Sequence, residues 1–386
     1  LVEKLKLVKP KTFMLIAGEA SGDLLAAELV FALRGNLPDA TFFGAGGAKM
    51  SAAGVELAFD LTQHSVIGIS DVLKNYFKFR RLFNQLLALA IERKPDVVIG
   101  VDYGGFNLRF GHAVKEYVRN NPFSKWNPKI VQFVSPQVWA SRPGRANMLA
   151  ADYDLLLSIF PFEKDWYAQR APKLRVEFVG HPMVERMQKS ELRIQNKNSV
   201  PTILLLPGSR KSELQRHLLV MLGALKIIQE KIPTAKAKMV LPNQSLLQLA
   251  KSLGANVEIQ IGELPLALAE TDVAIASTGT VTMECAFFGV PTVTLYKTSW
   301  LTFQIGIRIV TVKSLTMPNL MAGEEVFPEF IQHFATPENI SRAALELLQD
   351  ESRQTKIKSQ LAKIVSSLGE PGAAGRAATA ILSLFK

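Results

Sequence analysis

The sequence predicts an α/β protein of two domains, each built on a parallel sheet with helices on both faces, followed by C-terminal helices. Three observations carry this. Short apolar runs recur, each followed by a small-residue turn and then by helical periodicity, and strands that alternate with helices form parallel sheets. Residues 187–201 (MQKSELRIQNKNSVP) are polar, lack apolar periodicity and read as a linker. The strand–turn–helix pattern then restarts at Ile203. The expected domains are therefore 1–188 and 200–366.

In chain order, TFMLIA (12–17) is a strand, GEASGD (18–23) its turn, and a helix runs to Leu33. Val97–Val101 precedes Asp102-Tyr103-Gly104-Gly105, and Ile130–Val134 precedes Ser135-Pro136. After the linker come a strand at 203–206, the turn Pro207-Gly208-Ser209-Arg210 and a helix through Ile228. Further strands fall at 238–241, 257–261, 273–276 and 292–295. Residues 337–385 are helical in pattern, broken at Gly369-Glu370-Pro371-Gly372. Ligands of parallel sheets gather beyond the carboxyl ends of the strands, so these turns are where chemistry is expected.

Composition narrows the function classes. Hydrophobic content of 48% against 20% charged describes a folded globular chain, long enough at 386 residues for two cores. A single cysteine, Cys285, rules out an internal disulfide framework and a thiolate metal cluster, and the five histidines show no zinc spacing. A net charge of +11 attracts anionic partners. Basic runs are not interleaved with aromatics, so a membrane surface or phosphorylated substrates are expected and nucleic acid is not. No apolar stretch reaches the ~18 residues of a membrane span. The first apolar run is too short for a secretory signal, so cytoplasmic residence is the expectation.

Asp272–Thr294 (DVAIASTGTVTMECAFFGVPTVT) reads as a strand, the turn Ser277-Thr278-Gly279-Thr280, a helix and a second strand. Small hydroxyl residues opening a helix leave N–H groups and the positive dipole end facing a ligand, as at phosphate sites. Glu284, four residues past Thr280, is placed to accept sugar hydroxyls. An ordinary strand–turn–helix scaffold has the same pattern. In LLLPGSR (204–210), Gly208 and Ser209 allow close backbone approach and Arg210 offers a bidentate guanidinium, a combination suited to pyrophosphate. The alternative is an arginine that caps its own loop.

Asp102 ends an apolar strand, where a carboxylate serves as a general base or merely satisfies the next turn. Asn107 follows it, and Glu19 and Asp23 flank the first turn with the same ambiguity. His181 reads as a packing or hydrogen-bonding histidine. Two motifs fail on position: Asp152-Tyr153-Asp154 precedes its strand (155–160), and Gly44-Ala45-Gly46-Gly47 lacks the third glycine and downstream acid of a dinucleotide fingerprint. Neither supports a metal or a cofactor. Over 66–91, Val72, Leu73, Tyr76, Phe77, Phe79 and Phe83 form a broad apolar surface at helical spacing, interspersed with Arg80 and Arg81. Apolar bulk with basic residues fits an anionic membrane or an acyl chain, although such stripes commonly face a core. Trp300–Val312, with Arg308, repeats the theme.

Taken in order, these motifs resemble the lipid-A-disaccharide synthase family: GEASGD (18–23), VDYGGFN (101–107), VSPQVWASR (134–142), FPFE (160–163), FVGHP (178–182), LLPGSRKSE (205–213), STGTVTME (277–284) and MPNLMAGEEVFPE (317–329). The resemblance implies two Rossmann-like domains facing a cleft, the glycosyltransferase B type, with helix 371–386 joining the first domain. It implies an inverting, metal-independent transfer without a cofactor. The donor is UDP-2,3-diacylglucosamine and the acceptor 2,3-diacylglucosamine 1-phosphate (lipid X). They are joined β-1,6 with release of UDP, on the cytoplasmic face of the inner membrane, and a homodimer is compatible with it. By the same resemblance Arg210, Ser209, the 277–280 turn and Glu284 hold UDP, Glu19, Ser21 and Asn107 line the substrate site, Asn319 joins it, and Asp102 is the base. Two departures stand out: relatives carry an acid where this chain has Gly105, and a tryptophan where it has Ser141.

The expected mechanism is a single displacement in which Asp102 deprotonates the acceptor 6-hydroxyl while Arg210 and helix N-termini stabilise departing UDP. A UDP-N-acetylglucosamine 2-epimerase-like isomerase is the rival with the same fold type. A non-catalytic anionic-lipid binding protein is the rival outside enzymes.

Overall fold

The computed structural model describes residues 11–62, 76–189 and 200–385. Two compact units divide the chain: Leu1–Glu185 with Leu368–Lys386, and Arg186–Ser367.

The first unit carries a seven-stranded sheet, all of whose pairings are parallel. Its strands are β1 (Thr12–Ala17), β2 (Thr41–Gly46), β3 (Glu56–Asp60), β4 (Val97–Val101), β5 (Lys129–Phe133), β6 (Leu155–Ser158) and β7 (Val176–Phe178), in the order β3-β2-β1-β4-β5-β6-β7. Every residue of β4 is buried, as a continuous apolar run covered on both faces requires. Helices α1 (Ala20–Asn36), α2 (Ala48–Ala52), α3 (Tyr76–Arg93), α4 (Gly104–Asn120), α5 (Val138–Ser141), α6 (Arg145–Asp152), α7 (Pro161–Arg170) and α8 (Pro182–Lys189) connect the strands or follow the last.

The second unit repeats the plan with β8 (Thr202–Leu206), β9 (Lys236–Leu241), β10 (Glu258–Ile261), β11 (Val273–Ser277), β12 (Thr292–Tyr296) and β13 (Glu329–Ile331), ordered β10-β9-β8-β11-β12-β13. Its helices are α9 (Lys211–Lys231), α10 (Gln244–Ser252), α11 (Leu264–Ala269), α12 (Val281–Phe287), α13 (Trp300–Ile309), α14 (Met317–Ala322), α15 (Pro337–Gln349) and α16 (Glu351–Ser367). Helix α9 shows why amphipathic spacing works here. Leu214, His217, Leu218, Met221, Leu225 and Ile228 recur every three or four residues and are all buried. The last helix, α17 (Ala373–Leu382), packs on α1, and Arg376 donates to the carbonyls of Val179, Glu370 and Pro371 within the first unit.

In both sheets the strand order reverses at one place, between β1 and β4 in the first and between β8 and β11 in the second. Connections leaving neighbouring strands toward opposite faces open a crevice at the carboxyl ends there, which is where open α/β sheets bind ligands. GEASGD and Asp102 follow β1 and β4; Pro207–Arg210 and Ser277–Thr280 follow β8 and β11.

Candidate active site

Asp102 leaves β4 in the left-handed region, φ 51°, and Tyr103 follows at φ 45°. The Asp102 N–H donates to the Phe133 carbonyl at 2.8 Å, tying the turn to β5. Helix α1 comes close because Gly22 has no side chain: a Cβ there would lie 3.2 Å from the Val101 oxygen and 3.4 Å from the Asp102 Cβ. That approach brings Ser21 Oγ to 3.4 Å from Asp102 Oδ2. Burial raises the Asp102 carboxyl above the usual range, against the opposing pull of the Tyr103 N–H and the Ser21 hydroxyl. A partly buried carboxyl of raised proton affinity is the form a general base takes. Glu19 is half-buried beside Tyr103, whose phenol is raised first by burial and then by the Glu19 charge. At Gly105 a Cβ would meet nothing within 4 Å, so the absence of an acid there follows from no steric need.

Several polar residues near these turns are held by the fold. Asn107 is 2% exposed and its amide nitrogen points at the carbonyls of Asp102, Ile16 and Val101, so it clamps the backbone. Asp23 accepts the N–H groups of Gly47, Lys49 and Met50, capping α2. Asp152 pairs with Arg119 and His112, and Asp154 with Lys115 and Lys129, at the amino end of β6 away from the turns. His181 Nδ1 accepts the Met183 N–H, and its ring packs 5.4 Å from Phe160.

In the second unit, Ser209 and Arg210 are exposed, but their N–H groups do not face outward for a phosphate. Both donate to Glu213 Oε2, at 3.1 and 3.3 Å, and Arg210 Nη1 reaches Glu213 Oε1 at 3.3 Å. This is the reach-back of a capping box, and Gly208 permits it, since a Cβ there would collide with the Glu213 side chain. The Ser277–Thr280 turn differs. Thr278 N–H donates to Leu295, and Thr282 Oγ1 closes on the Gly279 carbonyl at 2.7 Å. Among the described residues no acceptor meets the N–H groups of Gly279, Thr280 and Val281, and Gly279 and Thr280 are exposed. Ser277 is buried at the strand end and Thr278 is half-buried. Burial pushes the Glu284 carboxyl up to about 7, with the Arg186 charge opposing.

Asn319 is 2% exposed and fully engaged. Its Nδ2 donates to the Phe327 carbonyl and to Glu329, and its Oδ1 accepts from Val326 and Phe327, all at 2.8 Å. Two donors and two lone pairs exhaust an amide, so the Asn319 side chain folds the 315–329 loop. Helix α3 splits the expected lipid stripe. Phe83 packs against Phe106 and Phe110 beside buried Leu86 and Ala90, so it belongs to the core. Phe77 is 80% exposed, with Arg80 and Arg81 exposed on the same groove and Phe79 half-buried. Val72, Leu73 and the Tyr76 side chain lie outside the described residues. In α13, Trp300 and Leu301 are exposed and no residue is buried.

Two devices escape sequence reading. His217 donates from Nδ1 to the Pro207 carbonyl (2.8 Å) while Nε2 accepts the Lys297 N–H (3.0 Å), which ties the Arg210 loop to the end of β12. That pair fixes a neutral tautomer, and burial lowers its proton affinity. Glu163, 1% exposed, accepts Trp139 Nε1 at 3.0 Å and the Phe160 N–H at 3.4 Å, carrying the 134–142 loop on α7. Burial lifts it to about 7. Its signal in sequence is its third position after Phe160, the same reach-back spacing as Glu213. Among the described residues no three or more His, Cys, Asp or Glu side chains gather to hold a metal ion.

Comparison with known proteins follows the same lines. The solved UDP-N-acetylglucosamine 2-epimerase of Listeria monocytogenes superposes with TM-score 0.61 at 17% identity, covering 97% of both chains. A glycosyltransferase of kitacinnamycin gives 0.60 at 16%, covering 98% of this chain and all of the other. At such identities they share the fold. Sequence relatives are more telling. The lipid-A-disaccharide synthase of Trichlorobacter lovleyi is 37% identical over 390 residues, 98% of each chain, and that of Myxococcus xanthus 34% over 389, covering 98% of this chain and 99% of its own. The family profile of lipid-A-disaccharide synthetase matches residues 13–382. This chain belongs to the lipid-A-disaccharide synthase family.

Proposed function

We propose that the protein transfers a diacylglucosaminyl group from UDP-2,3-diacylglucosamine to the 6-hydroxyl of 2,3-diacylglucosamine 1-phosphate, with inversion at the anomeric carbon. Asp102 takes the hydroxyl proton as the oxygen attacks. The bond from the anomeric carbon to the UDP oxygen breaks, and its electron pair leaves with UDP. Arg210 and the N–H groups at 279–281 meet the charge that grows on the diphosphate. Ser209 contributes through its exposed side chain, because Glu213 occupies its N–H. Glu284 accepts hydroxyls of the nucleotide sugar, Glu19 and Ser21 face the acceptor beside Asp102, and Asn319 holds its loop from behind.

The observation that supports these roles is one of position: a carboxyl beyond β4 at the first sheet's reversal, and at the second's an arginine beyond β8 and open N–H groups beyond β11. No helix among the described residues is long and apolar enough to cross a membrane. Phe77 with Arg80 and Arg81, and Trp300 with Arg308, suit peripheral contact with an anionic bilayer on its cytoplasmic side. Purified protein given both acylated substrates with chelator present is expected to yield disaccharide and UDP. Absence of product without chelator would refute the reaction, and loss only with chelator would refute metal independence. Conversion of unacylated UDP-sugar to an epimer would favour the isomerase instead.

A further inference from the structure

Two buried amides lie beneath the turn that presents Asp102. Gln132, on β5 and 0% exposed, directs Nε2 at the carbonyls of Asp102 (2.9 Å), Val134 (3.2 Å) and Phe133 (3.4 Å). Asn107, on α4, directs Nδ2 at the same Asp102 carbonyl from 2.8 Å. Every partner is an acceptor, so each amide must turn its nitrogen toward them. Among the described residues, Asn107 Oδ1 and Gln132 Oε1 are left buried without a hydrogen-bond partner. Gly100 makes room for both side chains: a Cβ there would lie 2.6 Å from Gln132 Oε1 and 2.8 Å from Asn107 Cγ. An orphaned buried acceptor is destabilising, and apolar side chains at either position would avoid that penalty.

What the amides hold is itself strained. Asp102 (φ 51°), Tyr103 (45°) and Val134 (66°) are all left-handed, which is disfavoured for any side chain and an outlier for a β-branched one. Gln132 bonds the carbonyls of two of these three, one ending β4 and one ending β5. Loss of that clamp is expected to let the backbone at 102 relax toward negative φ and to turn the Asp102 side chain away from Ser21 and the Tyr103 N–H.

We propose that Gln132 is a positioning residue for proton transfer, its amide locking the left-handed turn that aims the Asp102 carboxylate. This rests on the reading of Asp102 as the base. It goes beyond that reading in making the geometry depend on a side chain that never meets substrate.

The test compares Gln132→Met, which keeps the volume and loses the donor, with Gln132→His, whose ring N–H can still reach a carbonyl. In the methionine variant kcat is expected to fall roughly tenfold or more while both KM values and UDP affinity stay within about twofold. Its kcat–pH profile is expected to shift its acid limb upward by about half a unit or more, because the carboxyl loses the bonds that favour ionisation. The histidine variant is expected to return kcat to within about threefold of the wild type. Should Gln132→Met fail to fold, Gln132→Leu, which also lacks a donor, carries the same expectations. An unchanged kcat, or a fall in kcat and Tm with the acid limb unmoved, overturns the proposal while leaving Asp102 its role. Wild-type turnover in Asp102→Asn removes the base, and this proposal with it.

Discussion

The two sheet reversals share a plan and differ in how their polar groups are satisfied. Beyond β1 and β4 the turn is left-handed over two consecutive residues, its clamping amides have orphaned oxygens, and burial makes the Asp102 carboxyl harder to ionise. Beyond β8 and β11 the polar groups behind the loops are matched. His217 uses both ring nitrogens, Glu213 takes two N–H groups, and Asn319 fills all four of its positions. Strain and desolvation suit a group that must accept a proton. A leaving diphosphate needs donors already in place, which a satisfied scaffold supplies without reorganising. On the proposed roles, the contrast is that of a reactive edge and a receiving edge.

Removing the reactive group is the most severe way to break this comparison. Asp102→Asn is expected to lower kcat by about 10²–10⁴ while UDP binding is unchanged, measured by product formation and by titration with UDP. Loss of UDP affinity in that variant would erase the division between edges. Arg210→Ala comes next, with a fall of about 10²–10³ in kcat/KM and weaker UDP binding. Arg210→Lys should recover only part, since a point charge does not replace a planar fork. Equal turnover of the alanine variant would place the leaving-group stabilisation elsewhere.

Much of this was legible in the sequence because buried parallel strands are continuous apolar runs, and VVIGV before Asp102 or TILLL before Pro207 cannot be mistaken for a helix of ordinary length. Asp102 stood out because it is the first charge after such a run. Gln132 did not, since one amide inside IVQFV looks like a tolerated polar residue until its carbonyl partners are seen. Asn107 and Asn319 were legible as important and illegible in role, because sequence spacing does not say whether an amide faces a ligand or a backbone. The occupant of the Ser209 and Arg210 N–H groups was available in SRKSE, a reach-back spacing. The apolar stripe on α3 is wider than one face: Phe77 and Phe83 are six residues apart, about 120° around the helix, and sequence spacing does not say which of them packs on the core.

A smaller effect separates the two reach-back glutamates. Glu213 lies beside Arg210 on a loop, whereas Glu163 is buried against Trp139 with no cation among its bonded partners. Its folded-state value of about 7 lies above the ordinary carboxyl range, so the folded chain keeps a proton that the unfolded chain releases. The stability this contributes is complete below the unfolded value and is lost as pH rises through about 7. Urea denaturation should therefore show the wild type losing stability relative to Glu163→Gln between about pH 5 and about pH 8, by about 2 kcal/mol. Parallel pH dependence of the two proteins would mean that Glu163 does not keep the proton.

The smallest effect concerns where the reactive edge is delivered. Phe77 projects from α3 with Arg80 and Arg81 lining the same groove, and Phe83 on the far side is held by Phe106 and Phe110. An exposed ring among cations adds apolar area to an electrostatic attraction. Phe77→Ser should leave Tm unchanged and weaken partitioning onto vesicles containing anionic lipid by roughly three- to fivefold, the worth of about 1 kcal/mol of apolar surface. Phe83→Ser should do the reverse, lowering Tm through a cavity and an unpaired hydroxyl in the core while the folded fraction binds vesicles as before. Identical behaviour of the two serine variants on vesicles would show that α3 does not face the bilayer with the side that carries Phe77. Bilayer contact would then fall to another exposed apolar surface, for which Trp300 and Leu301 of α13 are the next candidates.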